Sequence, residues 1–296
     1  MPQFSNKIQG VRQQLSTRLT RLRSQVKAFR PYNLGGYAIN GLTPKKGYSV
    51  QKNLAYGLKP RQRLDLYVSD QQDTKGLILF VHGGAWSRGD KDTYVFVGEA
   101  FSRYGYDVAV LNYHLAPEFI FPRYVDDLVE ALDFLEQHQT KLGISTDKIA
   151  LMGHSAGAFN IASLIYHPSV YQLKLKQNIK TIIGISGPYH FDYKDDPLAQ
   201  HAFDQLIPYD QVMPYYFVEK NHIQHYLLIA ENDQIVKHSN SLDLCAQLHS
   251  QGNHCEVINI PNTGHITIMG SVSSVFSRFY ETRPQILNAL ARSMQD

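Results

Sequence analysis

The first pattern along this chain is helical. Phe4, Ile8, Val11, Leu15, Leu19, Leu22, Val26 and Phe29 follow one another at gaps of three and four until Pro31 ends the series. At about 100° per residue they form a stripe roughly 80° wide, flanked by Arg12, Arg23 and Arg30 on one side and Lys7, Arg18 and Arg21 on the other. This predicts a basic amphipathic helix over residues 1–30. From about Arg63 the pattern changes to short β-rich runs, each followed by a turn and a helical stretch. The predicted strands are Leu64–Val68, Leu77–Val81, Val108–Leu111, Ile149–Met152, Thr181–Ile185, Tyr226–Ala230 and Glu256–Ile260. Several are continuously apolar, as strands covered on both faces should be. Helical periodicity marks Tyr124–Gln137, Ala156–Tyr166, Ser239–His249 and Pro284–Ser293. Strand and helix in alternation predict a mostly parallel sheet with helices on both sides, with chemistry at the carboxyl ends of its strands.

One stretch breaks the alternation. Gly187 to Asn221 is rich in aromatics and prolines, among them Tyr189, Phe191, Tyr193, Phe203, Tyr209, Pro197 and Pro208. An insertion at a strand end is a usual place for a lid or a substrate pocket, so residues 189–220 are expected to cap the site.

Composition narrows the class. The chain has 296 residues, 43% of them apolar and 19% charged, which suits one globular α/β domain over 31–296 and excludes wholesale disorder. No apolar run approaches the roughly 18 residues that cross a bilayer, and the N-terminus lacks the apolar centre of a secretory signal. Cys245 and Cys255 cannot build a disulfide framework and lack the paired spacing of a zinc site, so a reducing, cytoplasmic setting is expected.

Charge changes the picture more. Residues 1–64 hold 13 Lys and Arg and no acid, and the remainder holds 16 basic and 26 acidic residues, so +13 is set against 16 − 26 = −10. The arm over 1–30 has three uses open to it: docking on the catalytic body, adsorption to an anionic membrane surface, or pairing of subunits into a homodimer. Its acid-free composition would also suit a mitochondrial transit segment. With the other 232 residues acidic on balance, no nucleic-acid partner is expected.

The strongest chemical signal is Gly153-His154-Ser155-Ala156-Gly157, between the strand Ile149–Met152 and the helix that begins at Ala156. A G-x-S-x-G string alone is weak, but a sharp strand-to-helix turn of small residues is what an exposed nucleophilic serine needs. A serine hydroxyl must also give its proton to a base, and the base needs a carboxylate to fix its tautomer. Acid then histidine should follow later strands in chain order. Asp233, after Tyr226–Ala230, and His265, after Glu256–Ile260, stand in those places. Glu231 is the nearest rival acid, and His222, His225, His238, His249 and His254 are rivals by proximity. The developing oxyanion needs fixed N–H donors. Ala156 should give one, and His82-Gly83-Gly84-Ala85-Trp86, directly after Leu77–Val81, should give others through Gly84 and Ala85. Trp86, His154 and Tyr189 are expected against the substrate. No metal or cofactor is required.

These motifs, together with Asn112-Tyr113-His114-Leu115-Ala116-Pro117 and Phe121-Pro122, resemble the α/β-hydrolase family over roughly Leu64 to His265. More narrowly the chain is similar to bacterial carboxylesterases of the hormone-sensitive-lipase and feruloyl-esterase-like kind, with kynurenine formamidase as a relative. The resemblance implies an α/β-hydrolase fold and a Ser155-His265-Asp233 mechanism on short-chain or aryl carboxylic esters. A formyl anilide is the alternative substrate, and an idle fold that binds a membrane or protein through residues 1–30 is a third reading. Two departures stand out. Ala85 replaces a third glycine, which should narrow the pocket but keep a backbone N–H. His114 replaces an arginine, which takes a fixed cation from its loop.

Overall fold

Every strand the sequence predicts is present, and each is as long as expected or slightly longer. In this computed structural model, which describes residues 31–167, 173–194 and 196–295, the chain runs α1 (Pro31–Leu42), β1 (Tyr48–Ala55), β2 (Arg63–Ser69), β3 (Leu77–Val81), α2 (Val95–Ser102), β4 (Asp107–Leu111) and α3 (Arg123–Leu142). It continues through β5 (Ile149–His154), α4 (Ala156–Tyr166), β6 (Ile179–Ile185), β7 (Gln224–Ala230), α5 (Ser239–Ser250), β8 (Cys255–Ile260), α6 (Thr267–Gly270) and α7 (Thr282–Ser293). The amphipathic arm expected over residues 1–30 lies outside the described residues.

The eight strands form one sheet in the order β1-β2-β4-β3-β5-β6-β7-β8. Strand β2 is antiparallel to both β1 and β4, and every pairing from β4 to β8 is parallel. Apolar residues fill both faces. Leu79, Leu151, Phe159 and Leu132 belong to one core, and Ile78, Phe80, Met152 and Leu290 to the other. Alternate residues of β3 and β5 feed opposite layers, which is why these strands read as unbroken apolar runs.

Three elements carry no readable pattern. Helix α1 holds Gly35, Gly36 and Gly41, poor helix formers that propensity would reject. Its stability is tertiary: Asn40 donates from Nδ2 to Asp92 O (2.8 Å) and accepts at Oδ1 from Phe96 N–H (3.2 Å), while Gly36 lies so near Thr93 that a Cβ would stand 3.0 Å from its carbonyl oxygen. Among the described residues this helix begins at Pro31. Helix α2 is almost wholly buried and so has no polar face to give it a period. Strand β1 is a mostly exposed edge strand, interrupted by a bulge between Gln51 and Leu54.

Two further expectations are corrected. Cys245 on α5 and Cys255 at the start of β8 are joined in a disulfide, Cα atoms 5.5 Å apart, so the pair no longer argues for a reducing compartment. The loop that carries His114 does not lack a cation. His114 donates its backbone N–H (2.6 Å) and its Nδ1–H (2.8 Å) to buried Asp127, which Arg123 of α3 also reaches (3.3 Å). Among the described residues no helix is long and apolar enough to cross a membrane.

Candidate active site

Strand β5 ends in a strained turn. Ser155 has φ 53° and ψ −123°, a left-handed region that costs a non-glycine residue about 1–3 kcal/mol and persists only where its surroundings impose it. They do so by close approach. A Cβ on Gly157 would stand 2.1 Å from the carbonyl oxygen of Val81 on β3, and one on Gly153 would stand 2.5 Å from the backbone of Gly157. The backbone N–H of Ser155 donates to Ile185 O (2.8 Å), which ties the turn to the end of β6. The serine hydroxyl thus projects from the carboxyl end of the central strand.

His265 and Asp233 meet it there. His265 Nε2 lies 2.9 Å from Ser155 Oγ, and its Nδ1 lies 2.8 Å from Asp233 Oδ2. The other carboxylate oxygen of Asp233 accepts from the backbone N–H groups of Ile235 and Val236, both at 2.9 Å. Burial pushes the Asp233 carboxyl up, but the His265 ring and the two N–H donors outweigh it and hold the group down to about 2. An ionised Asp233 requires the proton on Nδ1 of His265, which leaves the Nε2 lone pair facing Ser155. Glu231, the rival acid, accepts from Asn262 N–H (2.7 Å), and Asn232 N–H donates to Thr263 O (2.8 Å); both bonds tie the acid loop to the histidine loop. The rival histidines serve elsewhere. His222, His238 and His249 hold backbone carbonyls, and His225 faces Tyr166 Oη (2.6 Å).

This hydrogen-bonded carboxylate has a measurable signature. Because Asp233 binds its proton more weakly folded than unfolded, its stabilisation is present above about pH 4 and is lost as the pH falls toward 2. The urea stability gap between wild type and Asp233→Asn is expected to narrow by about 1 kcal/mol from pH 6 to pH 3. A gap that stays constant or widens would contradict the ionised, hydrogen-bonded carboxylate.

The glycine loop after β3 faces the same point. Gly84 adopts φ +134°, and a Cβ there would fall 2.1 Å from Arg88 O, so only glycine fits. Ala85 and Trp86 follow at φ 49° and 53°, and the turn closes through Ser87 and Arg88 N–H groups on Gly84 O (3.2 and 3.1 Å). Among the described residues the N–H groups of Gly84 and Ala85 have no backbone acceptor. As the first residue of α4, Ala156 has none within its helix either. The loop is held from behind. His82 donates Nδ1–H to Gly83 O (2.8 Å) and stacks on Tyr113 with ring centroids 4.5 Å apart, Arg61 donates to Gly89 O (3.0 Å), and Lys91 pairs with buried Asp65 (2.9 Å). Burial pushes the His82 ring down to about 4, so it acts as a neutral brace.

A cavity of about 410 Å³ opens over Ser155, and its lining is mostly apolar. Its walls come largely from segments that carry no sequence motif: Gly36 and Ile39 of α1, Phe96 of α2, and Met269, Phe276 and Tyr280 beyond His265. No periodicity marks these residues; only the tertiary fold brings them together here. Of the predicted substrate contacts, His154 is at the cavity, but it is buried and donates Nε2–H to His265 O (2.9 Å), with burial pushing its ring down to about 3. Trp86 and Tyr189 are corrections. Trp86 turns away into the core, donating to Asn160 Oδ1 (2.9 Å) and packing edge-on to Phe159 and Phe203. Tyr189 is fully buried against Gly184 and Gly187. Nor is the 189–220 excursion a lid of aromatics: Tyr193 and Phe203 stack in the core, and Leu198 is its one contribution to the cavity wall among the described residues. Large rings gain more by leaving water in the core than by lining an open mouth.

Comparison with known proteins follows the same outline. The family model BD-FAE matches residues 64–248, a span that holds Ser155 and Asp233 and stops short of His265. The isoprenylcysteine alpha-carbonyl methylesterase of Arabidopsis thaliana is 32% identical over 148 residues, covering 48% of this chain and 35% of that protein. The kynurenine formamidase of Drosophila melanogaster is 29% identical over 149 residues, covering 50% of this chain and 48% of its own. The matched part therefore spans half or less of each relative's length. Among solved structures, a bacterial heroin esterase superposes with a TM-score of 0.71 at 20% identity, over 90% of both chains, which shows the α/β-hydrolase fold.

Proposed function

The chain belongs to the BD-FAE family, and we propose that it is a serine hydrolase of carboxylic esters. The observation that carries this reading is the chain of contacts from Ser155 through His265 to Asp233, set in a mostly apolar cavity that Gly84 and Ala85 also line. Ser155 Oγ attacks the ester carbonyl while His265 Nε2 takes its proton. The oxyanion accepts the loop N–H groups, which are worth several kcal/mol of barrier. His265 then gives the proton to the leaving alcohol, and water, deprotonated by the same ring, releases the acid from the acyl enzyme. Asp233 keeps the ring in the tautomer these steps need and stabilises its charge. Residues 31–296 act as one catalytic unit, and no cofactor enters the cycle.

A second reading is favoured by one relative. The kynurenine formamidase of Drosophila suggests hydrolysis of a formyl anilide by the same machinery. A cavity of about 410 Å³ can seat an aryl group or an acyl chain, so turnover must separate the two. Nitrophenyl esters of increasing acyl length, run beside N-formylkynurenine, are expected to give a Ser155-dependent burst on the esters and far slower formamide cleavage. Rapid formamide cleavage with idle esters would move the assignment to the amidase. Turnover of neither would leave the binding-only reading.

A further inference from the structure

The cavity over Ser155 opens through a rim of large apolar side chains that face water. Leu198, Ile235, Ile266 and Phe276 all line it, and they are 44%, 51%, 57% and 39% exposed. A single exposed leucine needs no explanation; four such side chains gathered on one opening do. They come from four separate segments, so the cluster is not a by-product of one loop. Two of them stand beside the chemistry: Ile235 donates its backbone N–H to Asp233, and Ile266 follows His265. Helix α1 also lines the cavity, through Gly35, Gly36 and Ile39. The 30 residues that precede α1 in sequence belong to the stretch of residues 1–64 that holds 13 Lys and Arg and no acid.

We propose that this rim seats on an anionic lipid surface. Apolar side chains around the mouth enter the boundary between headgroups and acyl chains, while the basic N-terminal residues meet the negative headgroups. The geometry gives the partner a use: an ester with an extended apolar group passes from lipid into an apolar cavity without crossing water. That last step rests on the serine-hydrolase reading, whereas the docking does not.

The test therefore reads binding on the full chain with Ser155→Ala and reads turnover of a water-soluble nitrophenyl ester on wild type separately. The Ser155→Ala chain is expected to co-sediment with vesicles of phosphatidylcholine and phosphatidylglycerol at about 3:1, and to bind at least about tenfold more weakly when salt is raised from about 20 mM to roughly 0.5 M. Adding Ile266→Glu and Phe276→Glu is expected to weaken association by about tenfold or more, since charge would have to enter the headgroup boundary. A milder pair, Leu198→Ser and Phe276→Ser, removes apolar surface without adding charge and should weaken it several-fold in a chain whose circular dichroism is unchanged. Association left intact by both pairs, or no association with anionic vesicles, overturns the proposal. So does a dimer in light scattering that the rim substitutions dissociate, which would give the face to a second copy. Ester turnover that fails while vesicle binding behaves as stated would instead count against the hydrolase reading alone.

Discussion

Ser155→Ala is expected to lower ester turnover by roughly four to six orders of magnitude while the protein stays folded. The alanine keeps the Cβ that the turn at φ 53° already accommodates, so the backbone strain of the elbow is unchanged. What is lost is the one atom that bonds to the acyl carbon and the hydrogen bond of 2.9 Å to His265 Nε2. The bond faces the cavity, where water can replace the hydroxyl, so its loss should cost about 1 kcal/mol of stability. The oxyanion loop and the binding cavity remain, which leaves a residual rate above the uncatalysed one. Burst titration with a nitrophenyl ester, together with thermal unfolding, separates the two effects. Activity within tenfold of wild type would remove Ser155 from the chemistry.

Asp233→Asn should cost about 10⁴-fold in kcat/KM, and the local hydrogen bonds say why. Ile235 and Val236 both offer N–H groups to one oxygen of this side chain, so the amide must place its oxygen there. Its NH₂ group then faces Nδ1 of His265 and can only donate. The ring is forced into the tautomer with its proton on Nε2, pointing at Ser155 Oγ, and the base is gone. Glu231→Gln is the matched control. It removes charge two residues away but retains an oxygen for Asn262 N–H, and it should stay within a few-fold of wild type. If Glu231→Gln collapses activity and Asp233→Asn does not, the acid has been misassigned.

The positions of these groups were legible because their constraints are local. A nucleophile at a strand-to-helix turn needs small neighbours, and Gly153 and Gly157 are small because Val81 and the turn itself leave no room for a Cβ. The order of acid and histidine follows from successive parallel strands whose carboxyl ends share one edge. The same logic failed for Trp86 and Tyr189. Trp86 sits next to the glycine loop and Tyr189 opens the aromatic insertion, yet both turn inward, Trp86 against Phe159 and Phe203 and Tyr189 against Gly184 and Gly187. Nearness along the chain says nothing about which face of a loop a side chain takes.

The sequence by itself determined the mostly parallel sheet and the strand that carries Ser155, and it singled out Ser155, His265, Asp233 and the Gly84 loop, which the fold brings to one place. Each depends on short-range rules: apolar runs for buried strands, small residues at strained turns, and one group per strand end. Only the tertiary structure decided the shape of the cavity over Ser155, the helix α1 that walls it, the Cys245–Cys255 bond and the contact of Arg123 with the Asp127 that holds His114. These depend on segments far apart in the chain meeting at one place. Helix α1 illustrates the reason: three glycines make it unfavourable alone, and it is held by Asn40 reaching α2 and by a glycine close enough to touch Thr93. Local propensity opposes that helix, and packing overrules it.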